Sequence, residues 1–209
     1  VSAEEPAPIS EQQIEWQRSS EVHGPNFAEP ATAAGDRVPR LVAFGAVPLS
    51  AALCRAARAL GWTPYVVDPR ERFATAERFP GAEEVVVAWP AEAFAEIDAP
   101  DRATAVVVLT HAPELDDPAL EIALRSDAFY VGALGSRRTQ GARRERLTAA
   151  GLDDAALARL SGPAGLDLGG ETVGEAALSI LGEAVAALHG RDGARLTSSA
   201  NAIHPAGRP

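Results

Sequence analysis

The sequence predicts a doubly wound α/β fold, a mostly parallel sheet with flanking helices and a long C-terminal helix, on three observations. From Arg40 onward, short wholly apolar segments alternate with helical patterns. Such segments suit strands buried on both faces, which is the condition of a parallel sheet covered by helices. Two glycine-flanked turns, Gly45-Ala46-Val47-Pro48-Leu49-Ser50 and Val131-Gly132-Ala133-Leu134-Gly135-Ser136-Arg137-Arg138-Thr139, each stand between a strand pattern and a helix pattern. Finally, Thr172-Val173-Gly174-Glu175 is a capping box that opens a long amphipathic helix.

Leu41–Phe44 is the first strand, and Leu49–Leu60 reads as a helix closed by Gly61. Thr63–Asp68 is the next strand and ends in an acid. Val85–Ala88 and Ala105–Leu109 are further buried strands, with a short helix at Ala91–Ile97 between them. Asp117 and Pro118 read as N-cap and first residue of a helix that runs to about Leu124. Ala128–Val131 is a fifth strand, and a polar helix follows the Arg-rich turn to about Ala150. Asp153 and Asp154 start a short helix, and Gly162-Pro163-Ala164-Gly165 is a loop. Val173, Ala177, Ile180, Leu181, Ala184 and Leu188 fall on one face of the last helix, which should pack on the sheet. The pattern beyond His189 is irregular.

Residues 1–39 contain Pro6, Pro8, Pro25, Pro30 and Pro39 with scattered acids and little periodicity, the signature of a flexible N-terminal arm or linker. Ile14 and Trp16 either dock on the body or lie in an exposed tail. Residues 40–205 form the folded domain.

Composition narrows the function classes. The 209 residues are 46% hydrophobic and 23% charged, which fits a globular chain with a sizeable core. No run approaches the length of a membrane span, and the first residues lack a basic, apolar leader, so a cytoplasmic address is expected. A net charge of −10 argues against nucleic-acid binding. All 19 basic residues are arginine, which excludes Schiff-base chemistry and a phosphate-binding lysine loop. The single cysteine, Cys54, lies in an apolar helix pattern and reads as a packed thiol. No metal site is expected.

The two turns carry the chemistry. A strand that feeds a helix through a glycine turn aims backbone N–H groups and the positive helix end at one spot, a ready anion cradle. In the first turn Gly45 and Ala46 are followed, 23 residues after Gly45, by Asp68, placed as in a dinucleotide-binding Rossmann-like unit. Val47 stands where close approach of a pyrophosphate requires glycine, which counts against NAD(P). In the second turn Gly132 and Gly135 allow close backbone approach, Ser136 can cap the helix, and Arg137 and Arg138 stand beside its N-terminus with Thr139. Cations there oppose the helix dipole unless an anion neutralises them. Arg143, Arg144 and Arg146 read as a solvated face paired with acids such as Glu145. Thr110 and His111 end a strand at the sheet edge where open α/β folds bind ligands, so His111 is either a donor to a phosphate or pterin, or a surface histidine. The Gly162–Asp167 segment, with Gly165 and Asp167, is either a ligand-covering loop or an ordered turn. His23, His189 and His204 have no partners at a meaningful spacing, and no catalytic residue is identified.

Together these segments resemble the C-terminal Rossmann domain of the XdhC/CoxI family, the accessory proteins of xanthine dehydrogenase and carbon monoxide dehydrogenase. The resemblance rests on Leu41–Leu53, Val67-Asp68-Pro69-Arg70, Leu109-Thr110-His111, Phe129–Thr139, Gly162–Gly169 and the helix containing Glu175–Ile180. It implies a maturation factor or chaperone, more than a metabolic enzyme, that holds molybdenum cofactor (molybdopterin) and assists its insertion into a xanthine dehydrogenase-type molybdenum hydroxylase client. The pterin phosphate would lie near Gly132–Thr139, with Thr110, His111 and the Gly162–Asp167 loop bordering the same cleft. The cysteine-bearing N-terminal domain of the family is missing from residues 1–39, which leaves three readings open: one half of a split pair with a partner chain supplying that domain, a short paralogue, or a piece of a longer protein. Val47 departs from the family glycine, and Ala112 stands where an acid is usual after Thr-His. An NAD(P)-dependent oxidoreductase or nucleotide-binding module is the alternative reading, a ligand-free interaction module is a third, and the oligomeric state, a homodimer included, is open.

Overall fold

The computed structural model describes residues 37–198; the expected N-terminal arm and the last residues, with Ile14, Trp16, His23 and His204, lie outside the described residues. Six parallel strands, β1 (Arg40–Phe44), β2 (Thr63–Val67), β3 (Glu84–Val86), β4 (Thr104–Val108), β5 (Tyr130–Ala133) and β6 (Leu160–Ser161), form one sheet in the order β3-β2-β1-β4-β5-β6. That order is the doubly wound dinucleotide-fold arrangement, with its switch point between β1 and β4. The helices are α1 (Pro48–Ala59), α2 (Pro90–Glu96), α3 (Pro113–Arg125), α4 (Arg137–Ala149), α5 (Asp154–Ala158) and the C-terminal α6 (Val173–Leu188). Among the described residues, no helix is long and apolar enough to cross a membrane.

The two central strands explain the double winding. Strand side chains alternate between faces, so β1 and β4 feed two separate cores. Leu41 and Ala43 of β1, with Ala105 and Val107 of β4, pack beneath α1 and α6. Val42 and Phe44, with Val106 and Val108, pack beneath α2, α3, α4 and α5. All eight of these side chains are fully buried. On the first face the long C-terminal helix lies against α1 through Ala177, Ile180, Leu181, Ala184 and Leu188, as its periodicity predicts, while Val173 stays exposed at the helix start. Its capping box forms as read: the Thr172 hydroxyl accepts from the Glu175 N–H, and the Glu175 carboxylate accepts from the Thr172 N–H.

Three sequence expectations shift. The helix expected to start at Asp117-Pro118 begins instead with Ala112 as N-cap and Pro113 at its first position, leaving Pro118 inside it. Pro113 meets the same first-turn tolerance for a missing N–H, and Leu115, which it brings into the helix, is buried. Asp117 therefore pairs with Arg146 rather than capping. The fifth strand runs Tyr130–Ala133, so Gly132 belongs to the sheet, opposite Val107 and Ser161, and the turn proper begins at Leu134. The sixth strand, two residues long, has too little pattern to be read from sequence.

Gly45 carries the β1–α1 turn at φ +113°, and a Cβ there would sit 2.6 Å from the Thr110 methyl. This glycine lets the ends of β1 and β4 touch at the switch point. Gly45→Ala should therefore destabilise the fold by about 1–3 kcal/mol, read as a lower urea midpoint with an unchanged slope.

Candidate functional site

At the carboxyl edge of the sheet, the turns after β1, β4 and β5 meet the loop after β6. In the first turn most backbone donors are engaged within the chain. The Ala46 N–H donates to the Asp68 carboxylate at 2.8 Å, the Val47 N–H to the Gly45 carbonyl at 3.0 Å, and the Ser50 N–H to the Val47 carbonyl at 3.0 Å. Pro48, the first residue of α1, has no N–H. Asp68 itself is fully buried and is gripped by Arg70, whose Nε and Nη2 donate at 2.9 and 2.7 Å. Burial alone would raise the Asp68 pKa, but the Arg70 fork and the N–H groups of Ala46 and Arg70 outweigh it and hold the carboxyl below its ordinary range. The acid that would meet a ribose is thus bound to the Ala46 N–H of the same turn and to Arg70.

Beneath the second turn lies a buried polar network that sequence reading missed. The Thr110 hydroxyl donates to Asp116 and accepts from the Ala112 N–H. The other Asp116 oxygen accepts from Arg143 Nη2 at 2.9 Å. Arg143 Nη1 donates to the Leu134 carbonyl and to Gln140 Oε1, and Gln140 Nε2 donates to the Ala133 carbonyl. Arg143 is 2% exposed and Asp116 is 1% exposed, so the arginine read as part of a solvated face is instead the largest fully buried side chain. Burial pushes the Asp116 carboxyl up, opposed by the Thr110 hydroxyl and by Arg143. Gln140, Arg143 and Leu147 are the buried positions of α4, at helical spacing, and that spacing was the available signal. The signal was hidden because only one of the three is apolar.

The network fixes the turn while leaving its outer surface open. Gly135 takes φ +135°. Ser136 caps α4 by accepting from the Thr139 N–H at 3.2 Å, with the Thr139 hydroxyl 3.0 Å from its Oγ. Arg137 and Arg138 are exposed and form no hydrogen bond or ion pair among the described residues. The N–H groups of the first helical turn lack intrahelical partners, so this end carries both the dipole and two guanidinium groups. His111 is exposed at the end of β4. Gly132 is buried, with the Tyr130 ring where its Cβ would be, at 2.8 Å. It serves sheet packing, and Thr110 serves the network.

The Gly162–Asp167 loop is pinned to α6 and to the sheet. The Gly165 N–H donates to Glu183 at 2.7 Å, and Glu183 also accepts from the Tyr130 hydroxyl at 2.6 Å. The Ala164 N–H bonds the Ala133 carbonyl, and Ser179 Oγ donates to the Leu166 carbonyl. A cavity of about 280 Å³ opens between this loop and the first turns of α6, bordered by Ala164, Leu166, Asp167, Gly170 and Ile180, with Leu134 of the second turn at its side. A larger cavity of about 590 Å³ lies at the amino edge. There Arg40 and Arg37 are engaged by the carbonyls of Ile97 and Asp98 and by Asp101. Burial pushes the Cys54 thiol up to about 11, against the opposing pull of Arg58 and Arg55. Among the described residues no group of three His, Cys, Asp or Glu side chains is placed to hold a metal ion.

Two measurements test this construction. Arg143→Met strands a buried carboxylate and should cost about 3–5 kcal/mol, whereas Arg143→Met with Asp116→Leu should cost clearly less than the sum of the single changes, read by urea unfolding. Asp68 should contribute stability that is complete above its unfolded pKa of about 4 and is lost as pH falls through its lower folded pKa. The stability gap between the parent chain and Asp68→Asn should accordingly be constant from about pH 5 to 7 and shrink in more acid solution.

The XdhC Rossmann domain family model matches residues 41–184. A Bacillus subtilis (strain 168) protein, a probable subunit of xanthine dehydrogenase, is 28% identical over 79% of this chain and 49% of its own length. The molybdenum cofactor insertion chaperone PaoD of Escherichia coli (strain K12) is 35% identical over 46% of this chain and 29% of its own length. A crystal structure of a xanthine dehydrogenase from Bacillus halodurans superposes with a TM-score of 0.62 at 28% identity, covering 78% of this chain and 45% of that one. The chain spans about half the length, or less, of these relatives. With the 3-2-1-4-5-6 sheet and the glycine turns at the expected strand ends, the match places this chain in the XdhC family, as its Rossmann domain.

Proposed function

We propose that this domain holds molybdenum cofactor as cargo at the carboxyl edge of its sheet and assists its transfer into a xanthine dehydrogenase-type molybdenum hydroxylase. One observation carries the reading: Arg137 and Arg138 stand exposed, without partners among the described residues, at the positive end of a helix whose preceding turn lends Leu134 to a cavity. Two like charges at that end destabilise a helix, and a bound phosphate removes the penalty. The names borne by two relatives, one a molybdenum cofactor insertion chaperone and the other a probable part of a xanthine dehydrogenase, support the same direction.

The residues present suit such a cargo. A pterin phosphate requires cationic donors, which Arg137, Arg138 and the first N–H groups of α4 provide. A flat heterocycle requires an apolar wall with a few polar edges, and the cavity offers Leu134, Ala164, Leu166 and Ile180 beside Asp167 and the backbone of Gly169 and Gly170. His111 borders the same edge as a further donor. The cofactor brings redox-active molybdenum to the client enzyme; the domain binds, orients and shields it. The Thr110–Asp116–Arg143–Gln140 network positions the α4 turn and contacts no cargo. An accessory protein of this kind works in contact with its client.

Purified protein should bind molybdenum cofactor or molybdopterin saturably in an equilibrium titration. Arg137→Ala/Arg138→Ala should weaken binding by about 1.5–3 kcal/mol for each lost contact, while the melting temperature of the ligand-free protein is no lower than that of the parent chain. No binding by the parent chain, together with normal loading of the hydroxylase in a strain lacking it, would overturn the reading.

A further inference from the structure

The loop after β6 divides into a fastened part and an unfastened one. From residue 164 to 166 every N–H is bonded: Ala164 to the Ala133 carbonyl at 3.0 Å, Gly165 to Glu183 at 2.7 Å and Leu166 to the Ser179 carbonyl at 3.2 Å. The Leu166 carbonyl accepts from Ser179 Oγ at 2.6 Å. The Leu166 side chain fills a socket floored by two glycines, since a Cβ on Gly182 or Gly193 would come within 3.1 or 2.8 Å of one of its methyls. The chain is fastened again at Glu171 and Thr172, whose N–H groups both donate to the Glu175 carboxylate of the capping box. Between these anchors, among the described residues, the N–H groups of Asp167, Gly169 and Gly170 have no partner, and the Leu168 N–H bonds the Leu166 carbonyl two residues back. Gly169 stands at φ +66°, with open space where a Cβ would be.

Leu168 lines the cavity together with Leu166 and Ile180, yet it is 54% exposed. A leucine on so lightly bonded a stretch turns inward when an apolar surface is offered beneath it. A flat ring lying against Leu134, Leu166 and Ile180 offers that surface. We propose that residues 167–170 are a strap that closes over the bound ring, with Leu168 as its cover and Gly169 as its hinge. The inference rests on the cargo reading above and adds to it how the cargo is retained. The fastened part, residues 164–166, is the fixed wall of the cavity, and the capping box is the second anchor. Motion is thereby confined to the residues between them, and closure leaves α6 and the sheet undisturbed. Closing buries Leu168 and one face of the ring together, keeps water from that face and slows release of the cargo.

Residue-resolved amide hydrogen exchange on the full chain tests the strap before any ligand is added. The Asp167, Gly169 and Gly170 amides should exchange within seconds, while those of Gly165 and Leu166 stay protected. Saturating molybdopterin should then slow exchange across residues 167–170 by about tenfold or more. Leu168→Ser, which removes no side-chain hydrogen bond, should weaken molybdopterin binding by about fivefold to tenfold, through faster dissociation and with an unchanged melting temperature. Leu168→Met, which keeps an apolar cover, should restore the parent affinity and dissociation rate. A parent chain that does not bind molybdopterin overturns the cargo reading and the strap with it. If the parent chain binds, the strap alone is overturned by any of three results: protected amides at 167–170 in the free chain, no slowing there on binding, or an affinity that Leu168→Ser leaves unchanged.

Discussion

The contact between Asp116 and Arg143 organises the carboxyl edge of this domain. It ties the first turn of α3 to the middle of α4, and through Thr110 and Gln140 it reaches the ends of β4 and β5. A buried ion pair adds little net stability, because desolvation offsets attraction. Its effect here is positional. The Leu134 carbonyl accepts from Arg143, and the Ala133 carbonyl accepts from Gln140 as well as from the Ala164 N–H, so the end of β5 and the start of the turn are fixed together. One buried donor, Arg143 Nε, has no partner in the structure, so the network is held at some cost to stability.

Fixing the turn from below leaves its upper surface for other work. Ser136, Arg137 and Arg138 need not hold the helix to the body, since Gln140, Arg143 and Leu147 do so. The same division occurs at the first turn, where Asp68 draws inward the Ala46 N–H that a dinucleotide would use. Two turns with similar sequence signatures therefore end differently. One closes on itself through an acid and a proline, and the other presents cations to solvent and lends Leu134 to a cavity. The difference lies in where the nearest carboxylate sits: at the end of β2 for the first turn, and below the helix for the second.

The loop after β6 completes the edge. Glu183 accepts from both the Tyr130 hydroxyl and the Gly165 N–H, linking a strand, a loop and α6 at one carboxylate. Tyr130 in turn lies where any side chain on residue 132 would be, which explains a glycine in the sheet without reference to a ligand. Gly165 is constrained likewise, since a Cβ would meet Ser179 Oγ at 2.4 Å. The place of both glycines in the sequence suggests cofactor binding, but their immediate contacts are with the domain's own side chains.

The sequence by itself determined the alternation of strands and helices, the parallel sheet, the capping box at Thr172 and the packed face of α6. These follow from periods of two and 3.6 residues and from local hydrogen bonds, which act within one or two turns of chain. It also singled out Arg137 and Arg138, because their conflict with a helix N-terminus is local. Tertiary structure alone decided that Pro113 rather than Pro118 starts α3, that Arg143 is buried against a carboxylate 27 residues away, and that Asp68 faces its own turn. Each of those outcomes depends on which distant groups share a low-dielectric space, and a polar residue's partner across such a space leaves no periodic trace in the chain.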